Sequence, residues 1–189
     1  MTLTKEDLLS TARSYWDSSH DFLLRQEASP ERKKLWALWD EKIKDLSQWN
    51  SLLRTLKGDL PGYIVGSAVV PADASFRCVV YPAKESRRES CWVVVGCVRI
   101  LAPVYVVYGV ECDCVEGQLK NPRANLFQPP PGMALPAKVV ARAIEETFGF
   151  SELPHEIAET PVPLFVNWQE PPQTTLFHAL FTSEPSSIP

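Results

Sequence analysis

Four apolar, β-rich runs between Tyr63 and Val115 constrain the fold of this chain more than any other feature. Short turn-forming segments separate most of these runs, and short connections favour antiparallel pairing of neighbouring strands. The third and fourth runs are apolar at most positions on both alternating faces, which is typical of strands that are covered on both sides. We therefore predict an α+β fold with an antiparallel meander sheet of about four to six strands. The four runs are Tyr63–Val70, Phe76–Tyr81, Cys91–Leu101 and Val104–Val115.

The residues before the sheet have the periodicity of amphipathic helices, and we predict a helical hairpin over residues 1–59. Thr4, with Asp7 three positions on, can cap the first helix. Ser29 followed by Pro30 is a typical start for the second. The second apolar stripe continues without a break to a point near Gly58, which predicts one long helix. Its members are Leu35, Trp39, Ile43, Leu46, Trp49, Leu53 and Leu56.

The second half of the chain is rich in proline, with 12 of the 17 prolines from Pro122 onward. Residues 118–135 are predicted to form a proline-rich loop. Residues 136–149 are predicted to form one helix packed on the sheet, which starts at Pro136 and stops at Gly149. We expect loops and two closing strands over residues 150–182 and a frayed tail over 183–189. With the sheet core at 60–117, these segments are interpreted as a single domain spanning 1–189.

Charge and composition argue against several functional classes. The formal net charge is -4, and nucleic-acid binding normally needs a clustered basic surface, so no nucleic-acid partner is expected. The N-terminus carries acidic residues where a signal peptide would be basic, and the longest apolar stretch contains Arg99 and Pro103. We therefore expect neither export nor a membrane span. Five cysteines in a chain without an export signal favour reduced thiols in the cytoplasm, with no disulfides.

Glu111 and Asp113 alternate with Cys112 and Cys114, so the two carboxylates share one face of a predicted strand. Such a pair can hold a divalent ion or act as an acid and a base, as in a metal-dependent hydrolase or nuclease. We favour a polar strand edge instead, because no Glu-x-Lys pair, zinc pattern or nucleophile elbow accompanies the two carboxylates. No metal and no cofactor are predicted.

In the absence of convergent catalytic groups, a binding protein that is not an enzyme is the favoured interpretation. The tryptophans of the two helices are expected mainly to pack in the core, but Trp36 lies off the main apolar stripe and is alternatively a candidate exposed anchor, since tryptophan is enriched at binding hot spots. Acidic residues in and after the sheet would complement a basic protein partner. The candidate partner-binding residues are Trp36, Asp73, Glu111, Asp113 and Glu116.

A helical N-terminus is followed by GYIVGSAVV, FRCVVYPA, CWVVVGCVRIL and PVYVVYGVECDCV, and then by the single helix LPAKVVARAIEETFG. This order resembles that of the small cytosolic immunity proteins of bacterial polymorphic-toxin systems. The resemblance covers the general organisation of the chain and carries over no site residue. It implies a non-enzymatic inhibitor that neutralises a toxin made beside it. A third interpretation is a structural subunit, for instance a homodimer that uses the sheet edge or exposed tryptophans.

Overall fold

The computed structural model describes residues 3–19, 28–83, 90–115, 118–129 and 131–188. Its centre is a sheet in which the first five strands follow one another in chain order, each antiparallel to the next, as the meander prediction requires. These strands are β1 (Tyr63–Val69), β2 (Ser75–Pro82), β3 (Ser90–Arg99), β4 (Val104–Val115) and β5 (Gln118–Asn125). The α+β class is confirmed.

The prediction of a purely antiparallel sheet is wrong. A two-residue strand, β6 (Ser151–Glu152), pairs parallel with the start of β4, so the sheet is mixed. Two backbone hydrogen bonds hold β6 in place. The Ser151 amide donates to the carbonyl of Pro103, and the Leu153 amide donates to the carbonyl of Tyr105. Strand β6 runs parallel to β4 because the 15-residue helix before it brings the chain back to the end of the sheet at which β4 begins.

The helical region before the sheet contains three helices in the described residues, where the sequence predicts two. They are α1 (Lys5–Arg13), α2 (Pro30–Lys42) and α3 (Ser47–Asp59). The predicted caps are confirmed, because Thr4 and Asp7 form a capping box and the Ser29 side chain accepts a hydrogen bond from the Arg32 amide. The prediction of one long second helix is wrong. Asp45 accepts a hydrogen bond of 2.9 Å from the Ser47 amide and starts a new helix after a turn.

Two helices after the turn cover one face of the sheet. The indole N–H of Trp49 on α3 donates to the hydroxyl of Ser67 on β1 over 2.9 Å. Helix α4 (Ala134–Phe148) packs on β3 and β4, and its Glu145 accepts a hydrogen bond of 2.6 Å from the Tyr105 hydroxyl. The predicted helix over 136–149 is confirmed, and Gly149 ends it with a left-handed φ of 67°.

The opposite face of the sheet is covered by α1 and by the last part of the chain. The indole N–H of Trp16, just after α1, donates to the carbonyl of Ala179 over 2.7 Å. The ring of Tyr108 on β4 meets that of Phe177 edge to face, with centroids 5.8 Å apart. Both faces of the central strands are therefore buried, as their continuous apolar pattern predicts.

Three predictions for the second half of the chain are wrong. Residues 118–135 are not all loop, because β5 pairs with β4 in spite of Pro122, at the sheet edge and beside a bulge, where proline is tolerated. The segment predicted to hold closing strands has the short helices α5 (His155–Ala158) and α6 (Leu176–Leu180). Helix α6 forms because the Thr175 amide donates to Nδ1 of His178 and caps its first turn. The predicted tail is held onto the sheet within the described residues, since Ser183 is buried and the carbonyls of Pro185 and Ser187 accept hydrogen bonds from Tyr108 and Arg77.

Cysteine chemistry differs from the expectation of fully reduced thiols. Cys78, Cys97 and Cys112 are free and buried, whereas Cys91 is in a disulfide. Burial raises the pKa of both the Cys78 and Cys97 thiols to about 12, so they are packed as small apolar groups. Among the described residues, no helix has the length and apolar character needed to cross a membrane.

Candidate protein-binding surface

One side of α2, extended by the residue that caps its C-terminus, faces away from the core and carries two large apolar side chains. Trp36 is 45% exposed, and Ile43, two turns further on, is 44% exposed. Residues seven apart lie on the same side of a helix, and the exposed Asp40 lies between them on that side. We call Trp36, Asp40 and Ile43 the α2 ridge. Trp36 is exposed, as the alternative interpretation of an anchor requires. Ile43 was expected in the buried stripe but is exposed at the C-terminal cap of α2.

A groove with a volume of about 550 Å³ lies beside the end of α2. It is bounded by the turn between α2 and α3, the connection between β3 and β4, and the end of α4. Its size and mixed apolar and polar lining are those of a site that accepts a side chain or a small ligand. The aromatic residues that line this α2–α3 groove are Trp49, Phe76, Phe148 and Phe150, and the charged ones include Glu41, Lys42 and Asp45.

Aromatic contacts make the groove wall rigid. The rings of Trp49 and Phe76 have centroids 5.4 Å apart, and those of Phe148 and Phe150 are also 5.4 Å apart. Trp39 on α2 meets Phe76 edge to face at 5.0 Å and donates its indole N–H to the carbonyl of Asp73 over 2.6 Å. The groove and the α2 ridge are thus attached to one packed scaffold, which lowers the entropy that binding costs.

The exposed rim of the groove is slightly acidic, with two carboxylates and one lysine, whereas its buried wall contains an arginine. Hydrogen bonds from the Ser47 hydroxyl and amide lower the pKa of Asp45, so this carboxylate is charged at neutral pH. Glu41 is also exposed in the groove lining, and the basic residues of the same lining are the exposed Lys42 and the buried Arg99. In sequence, Glu41 and Lys42 lie between the ridge residues Asp40 and Ile43, so the groove begins at the end of α2 that carries the ridge.

The structure brings Glu111 and Asp113 onto β4 opposite polar residues of β5, with a β-bulge between them. Asp113 accepts hydrogen bonds from the side chains of Asn121 at 2.8 Å and Arg123 at 2.9 Å, which together lower its pKa. Glu111 accepts a hydrogen bond of 3.2 Å from the side-chain amide of Asn125. In the part of the chain that the structure describes, no third histidine, cysteine or carboxylate joins the pair to form a metal site. The pair is part of a polar cross-strand cluster at the edge of the sheet.

Asp73 is buried, which contradicts its predicted place on a partner-binding surface. Its carboxylate lies 3.1 Å from the Arg77 guanidinium as an ion pair without good hydrogen-bond geometry. Burial raises the pKa of Asp73, and the Arg77 charge partly offsets this. The sequence did not indicate the burial of Asp73, because the segment that covers this turn residue lies more than 100 residues later, at the end of the chain. Glu116, the remaining candidate, lies outside the described residues.

Two further apolar side chains are exposed although the sequence pattern did not predict it. Trp168 is 79% exposed and Leu135 is 67% exposed. Trp168 was assigned to a closing strand, but it follows Asn167 at the tip of a tight turn in which Val166 and Gln169 exchange two backbone hydrogen bonds. Asn167 has a φ of 51°, and asparagine is one of the few residues that tolerate this conformation, which was the available signal.

Comparisons with models of protein families, with characterised proteins and with solved structures gave no match to this chain. What the protein does must therefore be inferred from the surface and the charges described above. The α2 ridge and the α2–α3 groove are a candidate binding surface, since they combine an exposed tryptophan, an aromatic wall and charged rim groups.

Proposed function

We propose that this chain is a non-enzymatic, cytoplasmic protein-binding module that neutralises a cognate basic partner, as an immunity protein of a bacterial toxin system does. The observation that carries the proposal is the exposed Trp36 on the α2 ridge, next to a groove with aromatic walls and acidic rim groups. An exposed apolar surface of this kind is typical of a site that another protein covers.

Trp36 suits the role of an anchor for energetic reasons. It stands on a helix of 13 residues that is fixed to the core by Leu35 and Trp39, so its backbone loses no further freedom on binding. Its indole still has nearly half of its surface available for burial. Truncating a central tryptophan in an interface typically costs about 2 kcal/mol or more in binding free energy.

The groove complements the ridge by offering a place for a long basic side chain. The apolar stem of a lysine or arginine would pack against Trp49 and Phe150, and its charged end would stay at the exposed rim with Glu41 and Asp45, because the guanidinium of Arg99 also lines the groove. A chain of formal charge -4 also attracts a basic partner at long range, which speeds association at low salt. Inhibition would follow from covering the partner's functional surface, with no chemistry required of this chain.

The alternative of a metal-dependent hydrolase has less support. Asp113 and Glu111 are held by Arg123 and by the amides of Asn121 and Asn125, and these groups compete with a metal ion for the carboxylate oxygens. The arrangement matches a cross-strand network that stabilises the edge of a sheet.

The proposal is tested by affinity capture from the native cytosol with three tagged proteins, namely the wild type, Trp36→Ala and Trp168→Ala. We expect one stoichiometric basic partner with the wild type and with Trp168→Ala, and a reduction of about 30-fold or more in affinity for Trp36→Ala. Trp168 is the matched control, because it is an exposed tryptophan in a different part of the fold. Equal capture by both tryptophan variants would place the binding surface elsewhere.

Neutralisation is tested separately from binding. The captured partner is expressed alone and together with each variant, and growth of the host is measured. We expect the wild type and Trp168→Ala to restore growth and Trp36→Ala to fail. A captured partner that harms no cell and loses no activity in the complex would exclude the inhibitor role, even if Trp36 mediates binding.

A further inference from the structure

Strand β1 is an edge of the sheet with unpaired backbone groups. The Ala83 amide donates to the carbonyl of Gly62 over 2.9 Å, which sets the alternation of bonded and non-bonded pairs along β1 and β2. The residues of β1 that are bonded to β2 are therefore the even-numbered ones. The amide and carbonyl groups that point away from the sheet belong to Val65, Ser67 and Val69, and no other described residue bonds to them.

The two edges of the meander are built differently. The edge strand β5 carries Lys120, Pro122 and Arg123 and is interrupted by a bulge, all of which hinder the addition of another strand. Strand β1 has no charged residue and no proline between Tyr63 and Val69. Natural proteins protect exposed edges in the way that β5 is protected, so an unprotected edge indicates that a strand pairs there.

We propose that β1 pairs antiparallel with β1 of a second copy of this chain, with Ser67 on the two-fold axis, and forms a continuous sheet across a homodimer. In this register Ser67 pairs with Ser67 of the other copy, and Val65 pairs with Val69. The Ser67–Ser67 pair and the two symmetry-related Val65–Val69 pairs each exchange two backbone hydrogen bonds. We infer a second copy as the partner, because this edge is complementary to itself, as a two-fold interface requires.

Side chains in this register fit one another. Val65 faces Val69 of the other copy and Ile64 faces Val70, so β-branched residues oppose each other at both ends. The small residues Gly66 and Ala68 face each other near the axis. Ile64 and Val69 are 42% and 36% exposed in the single chain and become covered by the second strand.

Charge also favours a second copy over the basic partner proposed above. The edge has no carboxylate that would attract a basic strand, and no charged group that would repel an identical one. The dimer surface is separate from the α2 ridge, since Trp36 lies on α2 and Ile43 at its C-terminal cap, and neither is on the sheet edge. The dimer therefore does not depend on the proposed function, and either can fail without the other.

The test is sedimentation velocity of the full chain over a range of micromolar concentrations. We expect a dimer of twice the 21.2 kDa chain mass for the wild type. Val69→Lys places a positive charge in each half of the interface and should raise the dissociation constant about 100-fold or more. Leu135→Lys is the matched control, because it changes an equally apolar and more exposed residue away from β1, and it should leave the dimer intact. Trp36→Ala should also stay dimeric.

Amide hydrogen exchange of the wild type keeps the test decisive if Val69→Lys does not fold. The outward amides of Val65, Ser67 and Val69 should exchange at least about tenfold more slowly at concentrations that favour the dimer than in the dilute monomer. A monomer at every concentration overturns the proposal, as does a dimer in which these amides exchange freely. If the chain alone is monomeric and Val69→Lys abolishes capture of another protein, the edge pairs with that protein and not with a second copy.

Discussion

The guanidinium of Arg77 on β2 donates a hydrogen bond of 2.7 Å to the backbone carbonyl of Ser187, which lies 110 residues further along the chain. The same guanidinium is 3.1 Å from the Asp73 carboxylate, and both side chains are almost fully buried. Nearby, the Tyr108 hydroxyl donates to the carbonyl of Pro185 over 3.0 Å. These polar contacts fix the end of the chain onto the sheet.

Replacing Arg77 with methionine should destabilise the fold strongly. It removes the charge that compensates the buried Asp73 carboxylate and the donor that holds Ser187, and breaking such a buried pair typically costs about 3–5 kcal/mol in unfolding free energy. Urea denaturation monitored by tryptophan fluorescence measures the change. Arg54→Met, at an exposed position of α3, is the control and should cost less than about 1 kcal/mol. Equal losses for the two variants would contradict a special role of Arg77.

Replacing Arg99 with methionine should have the opposite effect. Arg99 is 2% exposed, and its three guanidinium nitrogens have no hydrogen-bond partner among the described residues. Burial lowers the pKa of Arg99 to about 9, which reflects the cost of keeping the charge in the core. We expect Arg99→Met to raise the unfolding free energy by about 1–3 kcal/mol, because it removes unsatisfied buried donors while keeping the apolar stem. A clear loss of stability in the same urea experiment would show that the guanidinium is satisfied in solution.

The buried thiol of Cys97 should make stability fall at alkaline pH. Its ordinary pKa is 9.0, and burial raises the pKa to about 12 in the folded protein. Between these values the unfolded chain has lost the thiol proton and the folded chain keeps it, so stability falls as pH rises, by about 1.4 kcal/mol per pH unit. Cys97→Val should lose stability less steeply by that amount. Urea titrations of both proteins between about pH 8 and pH 11 measure the two slopes, and parallel slopes would refute the shift.

Two glycine substitutions should change stability in opposite directions. A Cβ on Gly96 would lie 2.7 Å from Cγ1 of Val140 and 2.9 Å from Sγ of Cys78, so Gly96→Ala forces α4 away from the sheet. We expect a loss of about 1–3 kcal/mol from this overpacking. Gly58 on α3 has open space where its Cβ would be, and Gly58→Ala should gain about 0.5–1 kcal/mol through helix propensity. Thermal unfolding of both variants provides the comparison, and a neutral Gly96→Ala would show that the contact between helix and sheet can adjust.

Features that depend on near neighbours were predictable from the sequence. The helix starts at Thr4 and Ser29 and the stop at Gly149 involve groups a few residues apart, so the local pattern contains the information. The same holds for the first four strands, whose alternation and short connections specify the meander. The exposure of Trp36 matches one of the two alternatives that its position off the helical stripe left open.

Features that depend on distant contacts were decided by the tertiary structure. The exposure of Ile43 depends on where α2 turns into α3, and the α2–α3 groove requires Phe76 and Phe150 to meet beside Trp49. The burial of Asp73 requires the end of the chain to return to β2.

By itself, then, the sequence determined the class of the fold, the helix caps and the run of central strands. The tertiary structure decided which acidic residues are covered, where the groove opens and which sheet edge is left unprotected. The physical reason is that short-range hydrogen bonds and periodicity act within a few residues, whereas burial is fixed by packing between segments that are far apart in the chain.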